Sequence, residues 1–267
     1  MPRTEQDLAT VGIIPARYGS TRLPGKPLSD IHGKTLIERV YDRARAARSL
    51  DRVLVATDDE RIASAVRAFG GEAALTSERH RNGTDRLAEA VGSLNAEIVV
   101  NVQGDEPLLD PAGIDAAVDA LVADTGVPIS TVSVPIRSEE EMLLPSVVKV
   151  VTDGNGDALY FSRALIPHTR LADSAAAREC AAATVAHGLA RKHVGLYAYR
   201  REALLRFASL PPAPLEEAEG LEQLRALHHG MRIRVVPMDG ESGLAVDTPE
   251  DLERVRALLA PGKGKVA

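Results

Sequence analysis

Three cationic side chains within ten residues form the first pattern in this sequence that suggests chemistry. Arg17, Arg22 and Lys26 lie in the segment Arg17-Tyr-Gly-Ser-Thr-Arg-Leu-Pro-Gly-Lys-Pro, which directly follows an apolar stretch typical of a buried strand. Cations on a loop that contains two glycines suit the oxygens of a polyphosphate. We therefore interpret residues 17–26 as a phosphate-binding loop, called the phosphate loop below; the alternative is an ordinary basic surface loop.

Two common nucleotide-binding motifs do not fit this loop. A Walker A motif has four residues between its glycines and Ser or Thr after the lysine. Here five residues separate Gly19 from Gly25, and Pro27 follows Lys26. The sequence also lacks a G-x-G-x-x-G turn, which argues against an NAD-dependent oxidoreductase.

A second pattern, Gln103-Gly-Asp-Glu-Pro, follows the most apolar of the predicted strands. Ligands of open parallel sheets bind beyond the carboxyl ends of the strands, so this turn and the phosphate loop are expected in one crevice. Mg²⁺ is commonly held by one or two carboxylates together with phosphate oxygens. Asp105 is the better candidate ligand, because Glu106 points the opposite way in an extended segment. A simple turn is the alternative, since Gly, Asp and Pro are all turn residues.

The segment Val246-Asp-Thr-Pro-Glu-Asp-Leu-Glu predicts the start of a helix. Pro249 suits the first helical position, Thr248 the N-cap, and the acidic residues that follow suit the positive end of the helix dipole. Capping does not account for Asp247, which is a candidate for a second metal carboxylate. A lone aspartate in this position is more often exposed to solvent, so that role depends on the resemblance described below.

A fourth segment, Asn82-Gly-Thr-Asp-Arg-Leu-Ala-Glu, also opens a predicted helix. Gly83 would let the backbone approach a flat ligand, and Arg86 is a candidate to stack on a base or to form a hydrogen bond with it. A capped surface helix explains the same spacing equally well.

The elements that position these segments alternate between short β-branched runs and amphipathic helical patterns. This rhythm extends from residue 11 to about residue 134 and predicts a mostly parallel α/β sheet with right-handed crossovers. Between residues 138 and 201 three strand-like runs follow one another without long helices, and Asp153-Gly-Asn-Gly-Asp predicts a hairpin between two of them. The stretch 171–190 is left open as helical or as a mobile excursion. Two helices, a strand and a last helix are expected to close the chain.

We expect one domain over residues 11–260, with 138–201 as a small β-rich insertion and with flexible ends at 1–10 and 261–267. The net charge of −6 argues against a nucleic-acid-binding face. The single cysteine, Cys180, excludes an intramolecular disulfide. No apolar stretch has the pattern of a signal peptide or the length of a membrane span. These features favour a soluble protein of the cytoplasm.

Taken together, the four motifs closely resemble those of the 3-deoxy-manno-octulosonate (Kdo) cytidylyltransferases of Gram-negative bacteria. The resemblance runs in order over residues 11–259, and it includes the segments 158–163, 193–200 and 221–225. Sialate cytidylyltransferases share the Pro-Ala-Arg and Pro-Gly-Lys elements but usually lack the intervening Ser-Thr-Arg-Leu. The resemblance implies a Rossmann-like sheet of the nucleotide-diphospho-sugar transferase type and activation of Kdo with CTP for lipopolysaccharide biosynthesis, with Mg²⁺ as the cofactor and a homodimer as the assembly.

The resemblance also implies roles for individual residues. Arg17, Lys26, Asp105 and Asp247 would be catalytic, and the two aspartates would bind the metal. The residues implied in binding the nucleotide are Arg17, Arg22, Lys26, Gly83, Thr84, Arg86 and Gln103. The residues implied in binding the sugar acid are Arg163, His193, Tyr197, Glu222 and Gln223. Arg163 and His193 are expected to provide positive charge or hydrogen-bond donors for its carboxylate.

Alternatives remain for several of these positions and for the acceptor. Tyr197 would also suit a core, His193 a structural role, and Glu222 a solvated helix surface. A cytidylyltransferase for sialate or for an amino analogue of Kdo is the nearest rival. A non-catalytic nucleotide-binding relative is disfavoured because both Asp105 and Asp247 are present.

Overall fold

The computed structural model of the chain describes residues 9–19, 22–80, 82–92, 94–170 and 176–260. Packing divides these residues into two compact units: unit 1 comprises those up to Asp115 and from Gly243 onward, and unit 2 comprises Ala116–Ser242. The expected single domain over 11–260 stays a prediction. The predicted flexible ends lie outside the described residues, apart from Ala9 and Thr10, and Thr10 already belongs to the first strand.

The described residues form the following strands and helices, in chain order. The first part contains β1 (Thr10–Ala16), a 3₁₀ turn (Lys26–Leu28), β2 (Asp30–Ile31), β3 (Lys34–Thr35), α1 (Leu36–Arg45), β4 (Arg52–Thr57), α2 (Glu60–Ala68), β5 (Glu72–Leu75), α3 (Gly83–Gly92), β6 (Ile98–Asn101) and α4 (Pro111–Ala123). The remainder contains β7 (Ile129–Pro135), α5 (Glu139–Leu143), β8 (Lys149–Thr152), β9 (Ala158–Ser162), α6 (Ala177–Ala186), β10 (Arg191–Arg200), α7 (Arg201–Ser209), α8 (Pro214–Glu219), α9 (Gln223–His228), β11 (Ile233–Pro237) and α10 (Pro249–Leu258).

Unit 1 contains four parallel strands in the order β6, β1, β4 and β5. In the central strand β1, Ile13 pairs with Leu54 on one side and with Asn101 on the other. Helical crossovers are needed to keep such strands parallel, and the predicted alternation supplies them. The parallel arrangement places the carboxyl ends of β1 and β6 at the same edge of the sheet. This edge carries both the phosphate loop and the Gln103–Pro107 turn.

Two strand features of unit 1 were absent from our sequence interpretation. β5 has the sequence Glu-Ala-Ala-Leu, whose residues have low or ordinary strand propensity, so pairing with β4 and not local preference makes it a strand. The short hairpin of β2 and β3 likewise lacks a periodic signal, because each of its strands has two residues. It turns at His32 and Gly33, which both have positive φ.

Unit 2 contains a mixed arrangement of strands. β11 pairs in parallel with β7, whereas the β7–β10, β10–β8 and β8–β9 pairs are antiparallel. The predicted hairpin between β8 and β9 is confirmed. The carboxylate of Asp153 accepts hydrogen bonds from the backbone N–H groups of Asn155 and Asp157, each at 2.9 Å, and Gly156 adopts a φ of 81°. β10 has an irregular register between Val194 and Tyr197.

The segment 138–201 contains more helix than the sequence interpretation allowed. It contains α5 and the ten-residue α6 in addition to β8, β9 and β10. The alanine-rich stretch that was left open is therefore helical from Ala177 to Ala186, and residues 171–175 lie outside the described part of the chain. Three helices, α7 to α9, stand between β10 and β11 where two were expected. In the described residues, no helix is both long enough and apolar enough to cross a membrane.

Candidate active site

A cavity of about 550 Å³ opens at the carboxyl edge of the unit 1 strands. Its walls come from the end of β1, the phosphate loop, the start of α3, the turn after β6 and the residue before the α10 cap. The lining residues are Pro15, Ala16, Arg17, Gly19, Arg22, Lys26, Pro27, His80, Asn82, Gly83, Arg86, Gln103, Gly104, Asp105 and Asp247. The four motifs singled out in the sequence, more than 200 residues apart at their extremes, thus meet around one space.

The two predicted metal carboxylates converge on one cation. Lys26 Nζ lies 2.8 Å from Asp105 Oδ2 and 3.3 Å from Asp247 Oδ1. Arg22 also contacts Asp247, with 3.1 Å between its Nη2 and the Oδ1. Because both carboxylates reach the same ammonium group, this corner of the cavity attracts positive charge. Two of the predicted phosphate-binding cations, Arg22 and Lys26, are therefore adjacent to the predicted metal carboxylates.

Two backbone features bring Asp247 beside Asp105. The N–H of Val246 donates to the carbonyl oxygen of Asp105 at 2.8 Å, which joins the two loops directly. The next residues form the predicted N-terminal cap of α10: Thr248 Oγ1 accepts from the N–H of Asp251 at 3.2 Å, and the Asp251 carboxylate accepts from the N–H of Thr248 at 3.0 Å. The cap fixes the direction in which the chain leaves Asp247.

The phosphate loop returns to its start through a left-handed glycine. Gly25 has a φ of 69°, and its N–H donates to the carbonyl oxygen of Tyr18 at 3.1 Å. A Cβ at this position would lie 3.2 Å from the Tyr18 ring, so a larger residue would be both strained and crowded. The guanidinium of Arg61 lies over the same Tyr18 ring, 3.4 Å from the ring centroid. These contacts place Lys26, which follows Gly25, inside the cavity.

Gly104 and Pro15 are site residues that the sequence analysis missed. A Cβ on Gly104 would lie 2.7 Å from the carbonyl oxygen of Pro15, which is closer than real Cβ contacts. A glycine is therefore needed where the turn after β6 passes the end of β1. The Gln-Gly-Asp sequence carried a signal for this approach, but only the pairing of β1 with β6 shows what the glycine approaches.

The predicted base-binding residues at the start of α3 differ in whether they line the cavity. Gly83 and Arg86 line the cavity, and Arg86 is fixed by hydrogen bonds to Thr76 Oγ1 at 2.5 Å and to Asp58 Oδ2 at 2.6 Å. Thr84 is only 1% exposed and is not among the described residues that line the cavity. Its predicted contact with the nucleotide therefore finds no support, because the helix turns its side chain inward.

His80 and Asn82 line the same wall and were not predicted. Asn82 Oδ1 accepts from the N–H of Asp85 at 2.8 Å and so caps the helix. His80 bonds through Nε2 to the carboxylate of Glu89, which also accepts from the N–H of Ser77. The Ser77 N–H and the imidazole lower the pKa of Glu89 below its ordinary value. A polar, basic stretch just before a capped helix was the signal available in the sequence.

The side chains of this cavity suit a Mg²⁺ ion that is held partly by triphosphate oxygens, and not an ion held by protein ligands alone. In the part of the chain that the structure describes, no group of three or more His, Cys, Asp or Glu side chains is arranged to hold a metal ion. Two carboxylates next to three cationic side chains match the way in which Mg²⁺ is held when phosphate oxygens supply its remaining ligands. The roles of Asp105 and Asp247 in binding a metal stay predictions.

A second cluster lies in unit 2, where three of the five predicted sugar residues, His193, Tyr197 and Glu222, lie near one another. The imidazole of His193 on β10 packs between the rings of Phe161 and Tyr197, with centroid distances of 5.0 and 5.3 Å. The Glu222 carboxylate lies close enough to Tyr197 and Tyr199 to raise the pKa of both, after the larger effect of burial. Gln223, at the start of α9, is also buried.

His193 does not provide the positive charge that the sequence analysis allowed. Burial lowers its pKa to about 3, so the ring is neutral near pH 7. The Thr131 hydroxyl donates to the carbonyl oxygen of Leu196 at 2.7 Å, and therefore His193 Nε2, 3.0 Å from Thr131 Oγ1, is the protonated nitrogen. The hydrogen-bond network thus leaves Nδ1 as an acceptor, which suits a sugar hydroxyl and not a carboxylate.

Two buried polar atoms of the predicted sugar residues have no hydrogen-bond partner among the described residues. They are the hydroxyl of Tyr197 and Nε2 of Gln223. Buried donors without a partner are costly, and such atoms are often satisfied by a ligand. Arg163 is placed differently, since its guanidinium donates to the carbonyl oxygens of Glu219 at 2.8 Å, Pro145 at 3.1 Å and Gly220 at 3.4 Å.

Comparison with known proteins assigns this geometry to a family. The family model described as Cytidylyltransferase matches residues 11–233. A 3-deoxy-manno-octulosonate cytidylyltransferase of Syntrophotalea carbinolica is 54% identical over 94% of this chain and 99% of its own length. One of Geobacter metallireducens is also 54% identical, over 91% of this chain and 94% of its own length.

The chain belongs to the 3-deoxy-manno-octulosonate cytidylyltransferase family.

A solved structure supports the same family and confirms the fold prediction. The structure of a CMP:2-keto-3-deoxy-manno-octonic acid synthetase complexed with CTP has a TM-score of 0.85 and 45% identity, and the match covers 94% of this chain and 98% of that one. The mostly parallel α/β sheet with a small antiparallel part is thus the fold of this cytidylyltransferase family. Membership also confirms that the chain is an enzyme of the cytidylyltransferase class.

Proposed function

We propose that this protein transfers the cytidylyl group of CTP to 3-deoxy-D-manno-octulosonate and yields CMP-Kdo and pyrophosphate for lipopolysaccharide biosynthesis. The observation that carries the proposal is the cavity in which Arg17, Arg22 and Lys26 face Asp105 and Asp247. The relatives named above and the CTP complex of the similar solved structure support the choice of substrates.

In the proposed reaction the anomeric hydroxyl of the sugar acid attacks the α-phosphorus of CTP. A bond forms between that hydroxyl oxygen and phosphorus, the bond from phosphorus to the bridging α–β oxygen breaks, pyrophosphate leaves with that oxygen, and the hydroxyl proton passes to solvent. Such a transfer needs no covalent protein intermediate, so the protein acts by positioning and by stabilising charge. Arg17, Arg22 and Lys26 bind the triphosphate oxygens and stabilise the negative charge of the departing pyrophosphate.

The proposal includes Mg²⁺, held by Asp105 and Asp247. When bound, the ion would neutralise phosphate charge and polarise the phosphorus–oxygen bonds. The support for this cofactor is the pair of carboxylates that meet at Lys26 Nζ, which marks a position where a cation is favoured. Arg22, by contacting Asp247 at 3.1 Å, holds that carboxylate toward the phosphate loop.

For the acceptor we propose the unit 2 cluster as the sugar-binding surface. A neutral His193 accepts from a sugar hydroxyl, while the Tyr197 hydroxyl and Gln223 Nε2 donate to sugar oxygens. Burial raises the pKa of Tyr197 well above its ordinary value, and therefore the phenol keeps its proton and remains a donor near neutral pH.

The test is pyrophosphate release from CTP and Mg²⁺, with Kdo, its amino analogue and sialate compared as acceptors. We expect turnover with Kdo, and we expect ATP, GTP and UTP to be poor replacements for CTP. Turnover with sialate or with the amino analogue alone would contradict the assignment of Kdo. CTP binding without release of pyrophosphate for any acceptor would indicate a non-catalytic nucleotide-binding protein.

The proposal also includes a cytoplasmic homodimer formed through the segment 138–201. CTP is a cytoplasmic nucleotide, which supports that location. Leu144, Leu159 and Leu189 are exposed large apolar side chains of this segment, and Leu159 on β9 is 63% exposed. Exposed apolar side chains on a strand are common where protein surfaces associate. Light scattering of the purified protein would reveal twice the monomer mass of 28.4 kDa, and a monomeric mass would contradict this part.

A further inference from the structure

Residue 163 is tied to its surroundings through every polar part that it has. Its N–H donates to Glu219 Oε2 at 2.9 Å, and its guanidinium Nε donates to the carbonyl oxygen of Glu219 at 2.8 Å. Its own carbonyl oxygen accepts from Lys149 Nζ at 2.5 Å. Arg163 and Glu219 therefore form a reciprocal pair, in which the backbone of each binds the side chain of the other.

Lys149 fixes one side of this pair from the interior of unit 2. Its side chain is fully buried, and its Nζ also donates to the carbonyl oxygens of Leu144 at 3.0 Å and Val147 at 2.8 Å. A buried ammonium that keeps three carbonyl partners is satisfied and rigid. The end of β9 is thereby held in one position.

Glu219 fixes the other side, at the end of α8. Its Oε1 accepts from the hydroxyl of Ser162 at 2.6 Å, in addition to the bond from the N–H of Arg163 to Oε2. Burial alone would raise the pKa of Glu219, but the Ser162 hydroxyl and the Arg163 N–H lower it below its ordinary value. The carboxylate is thus ionised near neutral pH and uses both oxygens to hold β9.

The chain that follows Glu219 leads directly to the predicted sugar residues. Gly220 ends α8 with a φ of 61°, and only Leu221 separates it from Glu222 and Gln223. A reversal this short transmits the position of residue 219 to residues 222 and 223, since few backbone angles lie between them. The buried Gln223 Nε2 without a partner belongs to this stretch.

We propose that Glu219 is a positioning residue of the acceptor site, which sets the places of Glu222 and Gln223 by binding the end of β9 through Ser162 and Arg163. This inference rests on the proposed function, because the acceptor is the sugar acid of that reaction. Glu219 itself contacts no substrate. Its ordered carboxylate holds the α8–α9 connection in one position, and Glu222 in that connection lies near Tyr197.

The test compares Glu219→Gln with Glu217→Gln, a change at an exposed glutamate of the same helix. The amide keeps the size of the carboxylate but places an NH₂ group where one of the two oxygens now accepts from Ser162 and Tyr160 or from the N–H of Arg163. We expect the KM for Kdo to rise about tenfold, while the KM for CTP stays within about twofold and kcat within about threefold. Equal increases in both KM values, or unchanged kinetics, would overturn the inference.

A double-mutant cycle separates positioning from a general loss of structure. If Glu219 acts through Gln223, then Glu219→Gln adds little to the effect of Gln223→Ala. Additive effects, with Glu217→Gln as the additive control, would overturn the proposed route. If thermal unfolding shows that Glu219→Gln does not fold, Ser162→Ala decides, because it removes one of the three hydrogen bonds that the Glu219 carboxylate accepts; we expect a rise of about threefold in the KM for Kdo alone.

The same assay distinguishes this inference from the proposed function. Wild-type protein and Glu217→Gln must turn over Kdo for the proposed function to hold. If both are inactive with Kdo, the proposed function fails. If both are active and Glu219→Gln matches them, the proposed function stands and the positioning role fails.

Discussion

At the scale of single residues, the positions of the charged side chains determine which ligands the cavity suits. Besides Arg22, which contacts Asp247, Lys26 lies between Asp105 and Asp247, at 2.8 and 3.3 Å from their oxygens, so one ammonium group partly compensates two carboxylates. Each member of this group affects the other two, because removal of one charge leaves the others partly uncompensated. A triphosphate would give Lys26 a second set of partners, and a metal ion would give one to the aspartates.

The first residue prediction concerns Asp105. Asp105→Asn keeps the size of the side chain but removes the charge, and we expect kcat to fall by at least about a hundredfold. Thermal unfolding should change little, since Asp105 is a partly exposed residue of a turn. Asp119→Asn, at an exposed position of α4, is the matched control. Near-normal turnover of Asp105→Asn would remove this residue from the metal site.

The second residue prediction concerns Gly25. Gly25→Ala would place a Cβ 3.2 Å from the Tyr18 ring at a φ of 69°, and we expect it to lower the free energy of unfolding by about 1–2 kcal/mol. The displaced Lys26 should also raise the KM for CTP. Gly240→Ala, with open space around the added atom, should leave both quantities unchanged. Urea unfolding and initial rates measure them, and an unchanged Gly25→Ala would show that the loop tolerates another conformation.

At the scale of elements, strand β10 contributes side chains both to the packing of unit 2 and to the proposed acceptor site. Its aromatic and imidazole side chains form a row in which Tyr197 stacks with Tyr199 at 5.8 Å, and Tyr199 stacks with Phe207 at 6.2 Å. This row is apolar enough to keep His193 neutral, although part of the residue remains exposed. The pairing of β10 with β7 also shifts in register between Val194 and Tyr197.

The element prediction concerns acid stability. Because folding lowers the pKa of His193 from 6.5 to about 3, protons prefer the unfolded state, and the stability that depends on the neutral ring is full above pH 6.5 and is lost as pH falls toward 3. His193→Gln should therefore flatten the fall in the free energy of unfolding between pH 6.5 and 4.5 by up to about 1.4 kcal/mol per pH unit. Urea unfolding at several pH values measures this slope. An unaltered slope, equal to that of the exposed control His187→Gln, would contradict the prediction.

At the scale of the whole molecule, binding of nucleotide should be visible in stability. A ligand that binds the folded state raises the free energy of unfolding by about 2.7 kcal/mol at one hundred times its Kd. We therefore expect CTP with Mg²⁺ to raise the Tm, and we expect EDTA to remove most of the increase. Asp247→Asn should reduce the metal-dependent part and leave a smaller effect of CTP alone. If EDTA does not reduce the Tm increase, a metal-binding role for the two aspartates would be contradicted.

The sequence predicted the parts of the fold in which local signals are strong. The strands β1, β4 and β6, the helix α4 and the capped start of α10 follow from buried apolar runs, helical periodicity and an N-cap with proline. β5 and the β2–β3 hairpin were missed because their residues have little intrinsic strand preference and depend on a partner strand. The helices α5 and α6 were missed or left open because short or alanine-rich segments lack a clear apolar face.

By itself, the sequence predicted a phosphate-binding loop, because three cations and two glycines suit a polyphosphate, and it excluded a Walker A motif through the spacing of Gly19 and Gly25 and through Pro27. Its motifs in order also indicated the family, which the comparisons confirm. Only the tertiary structure decided that Asp105 and Asp247 meet at Lys26, that Gly104 must pass Pro15, that Thr84 turns inward and that His193 is neutral. The physical reason is that distance, burial and pKa depend on groups far apart in the chain, which a local pattern of residues does not bring together.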